Sequence, residues 1–201
     1  MNKFSNLVRV KNAAEDAFGS LASVDFQNTT YIFYIGPTLE IWYFTVNNAN
    51  PLRPSQNGTP IKLPTGQPVD QGYSMFSTVT VLPTMNVVPT PFGFRPVFTP
   101  GSKFEYYKYL PLAAGVWNSE IHVFYPEPYG NSHTLAEIVF DGQNWNVGTI
   151  PSGTYGLHKS TFLSCSYQSL QQVYQVYYVD PNSNVRGLLW NNNNTWQPGL
   201  G

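Results

Sequence analysis

Short runs of strand-forming residues alternate with turn clusters along the chain, and this pattern limits the fold more than any other feature. Tyr, Phe, Val, Ile and Thr dominate the runs, for example TTYIFYI at residues 29–35 and VYQVYYV at residues 173–179. Clusters of Pro, Gly, Asn and Ser separate them, such as PEPYGNS at residues 126–132. Because these residue types favour strands and turns respectively, the pattern predicts an all-β sandwich, barrel or propeller.

The runs recur in a fixed order, so the chain contains internal repeats. The clearest copy lies at residues 110–149, where LAAGVW, IHVFY, LAEIVF and QNWNVG follow one another. Similar groups occur at residues 20–50, 73–109 and 157–201. Four-strand units that repeat about every 35–55 residues are typical of propeller blades. We therefore expect a single β-propeller-like domain over residues 1–201, with about four blades of four antiparallel strands.

The charge and composition exclude several functional classes. Ten Lys and Arg residues against eleven Asp and Glu residues leave little for a basic face that would bind nucleic acid. Aromatic residues make up 16% of the chain, which is far more than a disordered chain contains. No run approaches the ~18 apolar residues of a membrane-spanning helix. We expect neither a nucleic-acid partner nor a membrane span.

The N-terminal segment and the single cysteine bear on the cellular compartment. Residues 1–20 lack the apolar segment of about 7–15 residues that marks a secretory signal peptide. This predicts a protein that is cytoplasmic, or secreted without a signal peptide. Cys165 lies in the alternating run TFLSCSY, which indicates a buried structural thiol rather than a nucleophile.

The copy at residues 110–149 resembles a repeat of the fungal fucose-specific lectins and of the related two-repeat bacterial fucose lectins. In that family a repeat reads approximately LAAxxW, IRVYY, IxE, then an aromatic residue, DG, Trp and Gly. This copy has LAAGVW, IHVFY, LAEIVFDG, Trp145 and Gly148 in the same order. The resemblance implies a β-propeller that binds fucose or related sugars in clefts between blades.

The resemblance also implies which side chains bind the sugar. In the family, the Arg of IRVYY and the Glu of IxE bond the hydroxyls, and an aromatic ring covers the apolar face of the sugar. Glu137 occupies the Glu position here, eight residues before Trp145. His122 stands where the family has Arg, and a neutral imidazole offers one donor in place of a guanidinium fork.

The two N-terminal copies match the site pattern less completely. In the second copy Arg95 and Glu105 fit the Arg and Glu positions, although Pro96 follows the arginine. In the first copy Glu40 fits the Glu position, while Ile32 replaces the arginine. Mixed sites remain open, because each cleft in such a propeller draws on two blades.

The fourth copy keeps the aromatic residues and loses the polar ones. Gln175 and Gly187 replace the family's Arg and Glu, while Trp190 and Trp196 remain. Each candidate also has a structural interpretation, as a strand residue that packs or faces solvent. The candidate ligand-binding residues are Glu40, Arg95, Glu105, His122, Glu137, Trp145, Trp190 and Trp196.

The sequence therefore predicts a non-catalytic carbohydrate-binding lectin for fucose or fucosylated glycans. No catalytic motif and no metal-ligand spacing is present, so we expect no catalytic residue, no metal and no cofactor. Two alternatives stay open: a cyclase- or isomerase-type enzyme with a small-molecule pocket on a lectin-like propeller, and a non-sugar interaction module. Glycans or glycoconjugates are the expected partners, and the ring of blades closes either within one chain or in a homo-oligomer.

Overall fold

The computed structural model of the chain contains strands and no helix in the residues that it describes, which confirms the all-β prediction. It describes residues 17–18, 21–36, 40–49, 58–64, 77–80, 84–90, 93–99, 105–109, 111–158, 161–168, 173–190 and 195–199.

The strands of these described residues are numbered in chain order. They are β1 Ala17–Phe18, β2 Leu21–Phe26, β3 Thr29–Ile35, β4 Ile41–Asn47, β5 Thr59–Pro60, β6 Ser77–Thr80, β7 Thr84–Thr90, β8 Gly93–Thr99, β9 Glu105–Tyr109, β10 Ala113–Trp117, β11 Glu120–Tyr129, β12 Ser132–Phe140, β13 Trp145–Val147, β14 Ser164–Gln168, β15 Val173–Val179, β16 Val185–Trp190 and β17 Trp196–Pro198.

Three sheets share one architecture, in which four strands follow one another in chain order. Sheet I consists of β2 to β5, sheet II of β10 to β13 and sheet III of β14 to β17. All neighbouring strands within them are antiparallel. This up-and-down arrangement is that of a propeller blade, as the repeats predict.

Tight turns set the register of sheets I and II. Gln27 and Asn28 join β2 to β3 with φ angles of 47° and 62°. Asn118 and Ser119 join β10 to β11 in the same way, with φ angles of 50° and 61°. Two successive residues with positive φ form a type I′ turn, which matches the twist of the strands that it joins. Corresponding positions in the two sheets can therefore be identified from their hydrogen-bond register.

The first strand of each sheet lies beside the first strand of its neighbour. β2 contacts β10, and β10 contacts β14. Ala22, Ala113, Ala114 and Ser164 lie on these strands, where small side chains allow three backbones to approach one another. The sheets therefore fan out from their first strands in the order I, II, III, and the molecule is propeller-like.

Two apolar cores hold the three sheets together. The core between sheets I and II contains Phe26, Phe33, Ile35, Ile41, Ile61, Leu112, Ile121, Val123, Tyr125, Ala136, Ile138 and Trp145. The core between sheets II and III contains Ala113, Phe124, Leu135, Ile150, Leu157, Tyr174, Val176, Tyr178 and Leu188. Sheet II contributes to both cores, so both of its faces are buried.

The second predicted copy, residues 73–109, has a different strand pairing. β7 and β8 form a hairpin, while β9 pairs with β6 on one side and, in parallel, with β1 on the other. Pro89 and Pro96 lie in the hairpin strands, and proline cannot donate the hydrogen bond that a central strand needs. Since sheet I packs directly on sheet II, this segment is not a blade between them. Three of the four expected blades are therefore four-stranded sheets in the described part of the chain.

Phe33 tests the core between sheets I and II. It is fully buried, and its ring lies 5.8 Å from that of Trp145. We expect Phe33→Ala to lower the free energy of unfolding by about 3–5 kcal/mol, because it removes buried apolar surface and leaves a cavity. Urea denaturation measures this change. Leu21→Ala, at a side chain 69% exposed, is the control, with an expected change within about 0.5 kcal/mol. Similar losses in both variants would contradict the packing described.

Candidate functional site

Four aromatic side chains form a row across sheet III. Tyr167 on β14 lies opposite Tyr174 on β15. Tyr174 in turn lies opposite Trp190 on β16, and Trp190 lies opposite Trp196 on β17. Directly opposed residues of neighbouring strands project from the same face of a sheet, so the four rings share one face. This face packs on sheet II, because the ring of Tyr174 lies 6.0 Å from that of Phe124.

Sheet II presents two acidic side chains and a histidine to this aromatic row. Glu120, His122 and Phe124 alternate along β11 and therefore share a face. Glu137 on β12 lies opposite Phe124 and belongs to the same face. The ring of His122 lies 6.0 Å from that of Tyr174. We refer to His122, Glu120, Glu137 and the four-ring row as the II/III site.

A buried carboxylate is the centre of the II/III site. Nδ1 of His122 lies 2.7 Å from Oε1 of Glu137. Nε1 of Trp196, from sheet III, donates a hydrogen bond of 3.1 Å to Oε2 of the same carboxylate. The side chain of Glu137 is 1% exposed. The structure therefore brings three of the sequence-predicted residues, His122, Glu137 and Trp196, into direct contact.

Thr149 completes the surroundings of Glu137. Its backbone N–H donates to Oε2 over 2.9 Å, and its hydroxyl lies 3.4 Å from the same oxygen. Oε2 of Glu137 thus accepts from Trp196 and from two groups of Thr149, while Oε1 is bonded by His122 alone. Both oxygens of Glu137 therefore have partners within the protein.

Gly148 makes room for this carboxylate. Its N–H donates to the carbonyl of Glu137 across the edge of sheet II, at 2.7 Å. A Cβ at position 148 would lie 2.4 Å from both Cγ and Oε2 of Glu137. Heavy atoms do not approach that closely, so a glycine is required here for the Glu137 side chain to keep its position.

Burial keeps two other groups at this interface neutral. Burial raises the pKa of the Tyr174 hydroxyl and that of the Cys165 thiol. The thiol donates to the carbonyl oxygen of Ala114 at 3.0 Å. Because a nucleophilic cysteine needs a lowered pKa, this environment favours the structural role predicted for Cys165, which is partly buried.

The interface between sheets I and II has aromatic residues at the corresponding positions. The strand register aligns Tyr31 with His122 and Tyr43 with Glu137. Trp145, which corresponds to Trp196, lies 5.8 Å from the ring of Tyr43. Carboxylate and imidazole groups are thus replaced by phenol rings in this interface, which packs as an apolar core.

Four predicted residues are not among those that form the II/III site. Trp145 packs in the core between sheets I and II. Glu40 accepts a hydrogen bond from Nε1 of Trp42 in its own sheet, at 3.1 Å, and the register places Tyr43 rather than Glu40 opposite Phe33. Arg95 lies on β8 of the hairpin and Glu105 on β9 of the three-stranded sheet. The side chains of Arg95 and Glu105 lie outside the described residues.

Sequence reasoning did not identify four residues of the site region. Tyr167 and Tyr174 extend the aromatic row, and Trp117 packs on Tyr167 with ring centroids 4.9 Å apart. Glu120 faces His122, with Oε2 of Glu120 3.8 Å from Nε2 of His122. The alternation in VYQVYYV shows that Tyr174 shares a face with Val176, but only the packing of two sheets shows which face is the site.

Among the described residues, no cluster of three or more His, Cys, Asp or Glu side chains has the arrangement to hold a metal ion. The same part of the chain has no helix of the length and apolarity that a membrane crossing needs.

Comparisons with solved structures show a shared fold at low sequence identity. AofleA from Arthrobotrys oligospora matches 90% of this chain with a TM-score of 0.54 and 16% identity. A mutant of that protein with three arginines changed to alanine matches the same share with a TM-score of 0.52 and 13% identity. The matched parts are 42% and 41% of those chains, so this chain spans about two fifths of their length.

A third similar structure is named as a β-propeller lectin. The Aleuria aurantia lectin, described as a six-bladed β-propeller, matches 92% of this chain and 64% of its own at 16% identity and a TM-score of 0.40. No family model matches the sequence, and no curated protein matches it. The arrangement of four-stranded sheets that the repeats predict is therefore part of a fold shared with AofleA.

Gly148 tests the geometry around Glu137. We expect Gly148→Ala to lower the free energy of unfolding by about 1–3 kcal/mol, because the added methyl group forces the buried carboxylate away from its donors. Chemical denaturation measures the loss. Gly187→Ala is the matched control, since a Cβ there would lie 3.4 Å from the ring of Tyr177, an ordinary contact. If Gly148→Ala is no more destabilising than Gly187→Ala, the close packing of Glu137 is wrong.

Proposed function

We propose that this chain is a non-catalytic lectin that binds a carbohydrate at the II/III site. One observation carries the proposal. His122 and Glu137 occupy the positions where the lectin repeat has its polar sugar ligands, and they meet Trp196 of the next sheet in a single buried network. The two polar residues and the tryptophan come from different sheets, so the site is of the inter-blade kind that the repeat implies.

The partly exposed rim of the site is suited to a sugar. The side chain of Tyr167 is half-exposed, the carboxylate of Glu120 is 38% exposed, and Trp190 and Trp196 are partly buried. A sugar ring has an apolar face that can lie on an aromatic ring and hydroxyls that can bond a polar group. Each hydrogen bond to a charged group would contribute about 1.5–3 kcal/mol.

Fucose or a fucosylated glycan is the ligand that we propose. Its support is the order LAAGVW, IHVFY, LAEIVFDG and Trp145 in residues 110–149, which resembles the repeat of fucose-specific lectins. The departure at His122 bears on how the sugar is held, because imidazole cannot reproduce the paired donors of an arginine.

The apolar interface between sheets I and II limits the number of sites. Tyr31, Tyr43 and Trp145 pack against one another there and leave no carboxylate at the corresponding position. We therefore propose one site in the sheets described. Assembly of several chains, the homo-oligomer expected above, would then supply the avidity that a single weak site lacks.

A glycan array that includes fucosylated glycans tests the proposed function. We expect the wild-type protein to bind fucosylated glycans and His122→Ala to lose at least about tenfold in affinity, because one polar contact is removed. Tyr31→Phe changes the corresponding position of the other interface and is expected to bind like wild type. A folded wild-type protein that binds no glycan would overturn the proposal and favour an interaction module.

A further inference from the structure

We propose that Glu137 is a positioning residue that sets the tautomer of His122, so that Nε2 of His122 acts as a hydrogen-bond acceptor and selects a ligand that donates a hydroxyl hydrogen to it. The ligand step rests on the proposed function. The tautomer step rests on the protein alone, and can be measured without any ligand.

The bonding of Glu137 determines the proton position on His122. Nε1 of Trp196 and the backbone N–H of Thr149 can only donate, so Oε2 of Glu137 acts as an acceptor. In the carboxylate form of Glu137, Oε1 has no hydrogen to donate. Nδ1 of His122, 2.7 Å from Oε1, must therefore carry the hydrogen of that bond. In the neutral imidazole, Nε2 is left with a lone pair.

Nε2 of His122 is buried and has no hydrogen-bond partner in the described part of the structure. Within the II/III site, the hydroxyl of Tyr174 is the other buried polar atom without one. Oε2 of Glu120, which is itself an acceptor, lies 3.8 Å from Nε2 of His122. Buried polar atoms without partners are rare and costly, so this atom is suited to a donor supplied by a ligand.

This arrangement reverses the polarity of an arginine site. Arginine presents donors and no acceptor, and so bonds the lone pairs of a sugar oxygen. His122 and Glu120 instead present two acceptors on neighbouring positions of one strand face. A ligand group held there must donate hydrogen, as a hydroxyl does. Glu137, whose side chain is only 1% exposed, acts on the ligand through His122 and Trp196 rather than by contact.

Nitrogen-15 NMR of the imidazole rings tests the tautomer. At a pH where the rings are neutral, we expect His122 to show a protonated Nδ1 and an unprotonated Nε2, with the signal assigned by its loss in His122→Ala. Glu137→Gln can still accept from Trp196 and Thr149 through its oxygen, while its NH₂ group faces Nδ1. We therefore expect this variant to move the proton to Nε2.

A matched control separates this effect from a general loss of acidic charge. Glu127→Gln changes a different carboxylate, on β11. Glu127 accepts a hydrogen bond from Ser152 and does not contact His122. We expect it to leave the His122 signals unchanged. A wild-type ring protonated at Nε2, or an unchanged tautomer in a folded Glu137→Gln, would overturn the positioning role of Glu137.

Deoxygenated sugars test the polarity of ligand binding. Methyl α-L-fucoside is compared with its monodeoxy and monodeoxyfluoro analogues by calorimetry. At the position that meets His122, we expect both analogues to lose about tenfold in affinity for wild type, because fluorine cannot donate. In Glu137→Gln, we expect the fluoro analogue to lose less affinity than the deoxy analogue does. If the wild-type protein binds the fluoro analogue as tightly as methyl α-L-fucoside, whichever hydroxyl is replaced, the acceptor role of Nε2 is wrong. If no fucoside binds, the proposed function and the selectivity step fail together, and the tautomer is judged by NMR alone.

Discussion

The burial of sheet II on both faces is the constraint on which the rest of the structure depends. Six consecutive residues of β11, from Ile121 to Pro126, are buried, with alternate side chains in alternate cores. A strand that is half-exposed would alternate apolar and polar residues, whereas this one is apolar on both sides except at His122. Sheets I and III each require sheet II to cover one apolar face, so the three-sheet arrangement forms around it.

A buried carboxylate is stable in such an interface because hydrogen-bond donors surround it. Moving a carboxylate out of water is expensive unless donors replace the water. Glu137 has those donors, from its own sheet, from Thr149 and from Trp196 of the next sheet. The equivalent interface between sheets I and II packs Tyr43 against Trp145, and the buried residues described in that core are uncharged. The same arrangement of strands therefore supports a polar interface between sheets II and III and an apolar interface between sheets I and II. The two interfaces differ by a few residues on two strands.

Local patterns in the sequence predict most of the fold, but not the strand pairing of residues 73–109. Alternating runs and tight turns predicted sheets I, II and III, since hairpins depend on residues close together in the chain. The segment 73–109 has the same kind of runs but pairs differently, because strand partners are chosen by contacts across the whole molecule and because Pro89 and Pro96 weaken a central strand. The first-copy assignment of Glu40 also failed on register, since a shift of a few residues changes which side chains stand opposite.

The sequence by itself determined that the chain is built of four-stranded antiparallel units, and it identified His122, Glu137 and Trp196 as candidates for one kind of site. Periodicity and turn residues act locally, which is why they are visible without a structure. Only the tertiary structure decided that these three residues meet, that Tyr167 and Tyr174 extend the tryptophan pair into a row, and that both oxygens of Glu137 have partners. Those facts depend on which faces of two sheets come together, and distances between sheets are not encoded in any single strand.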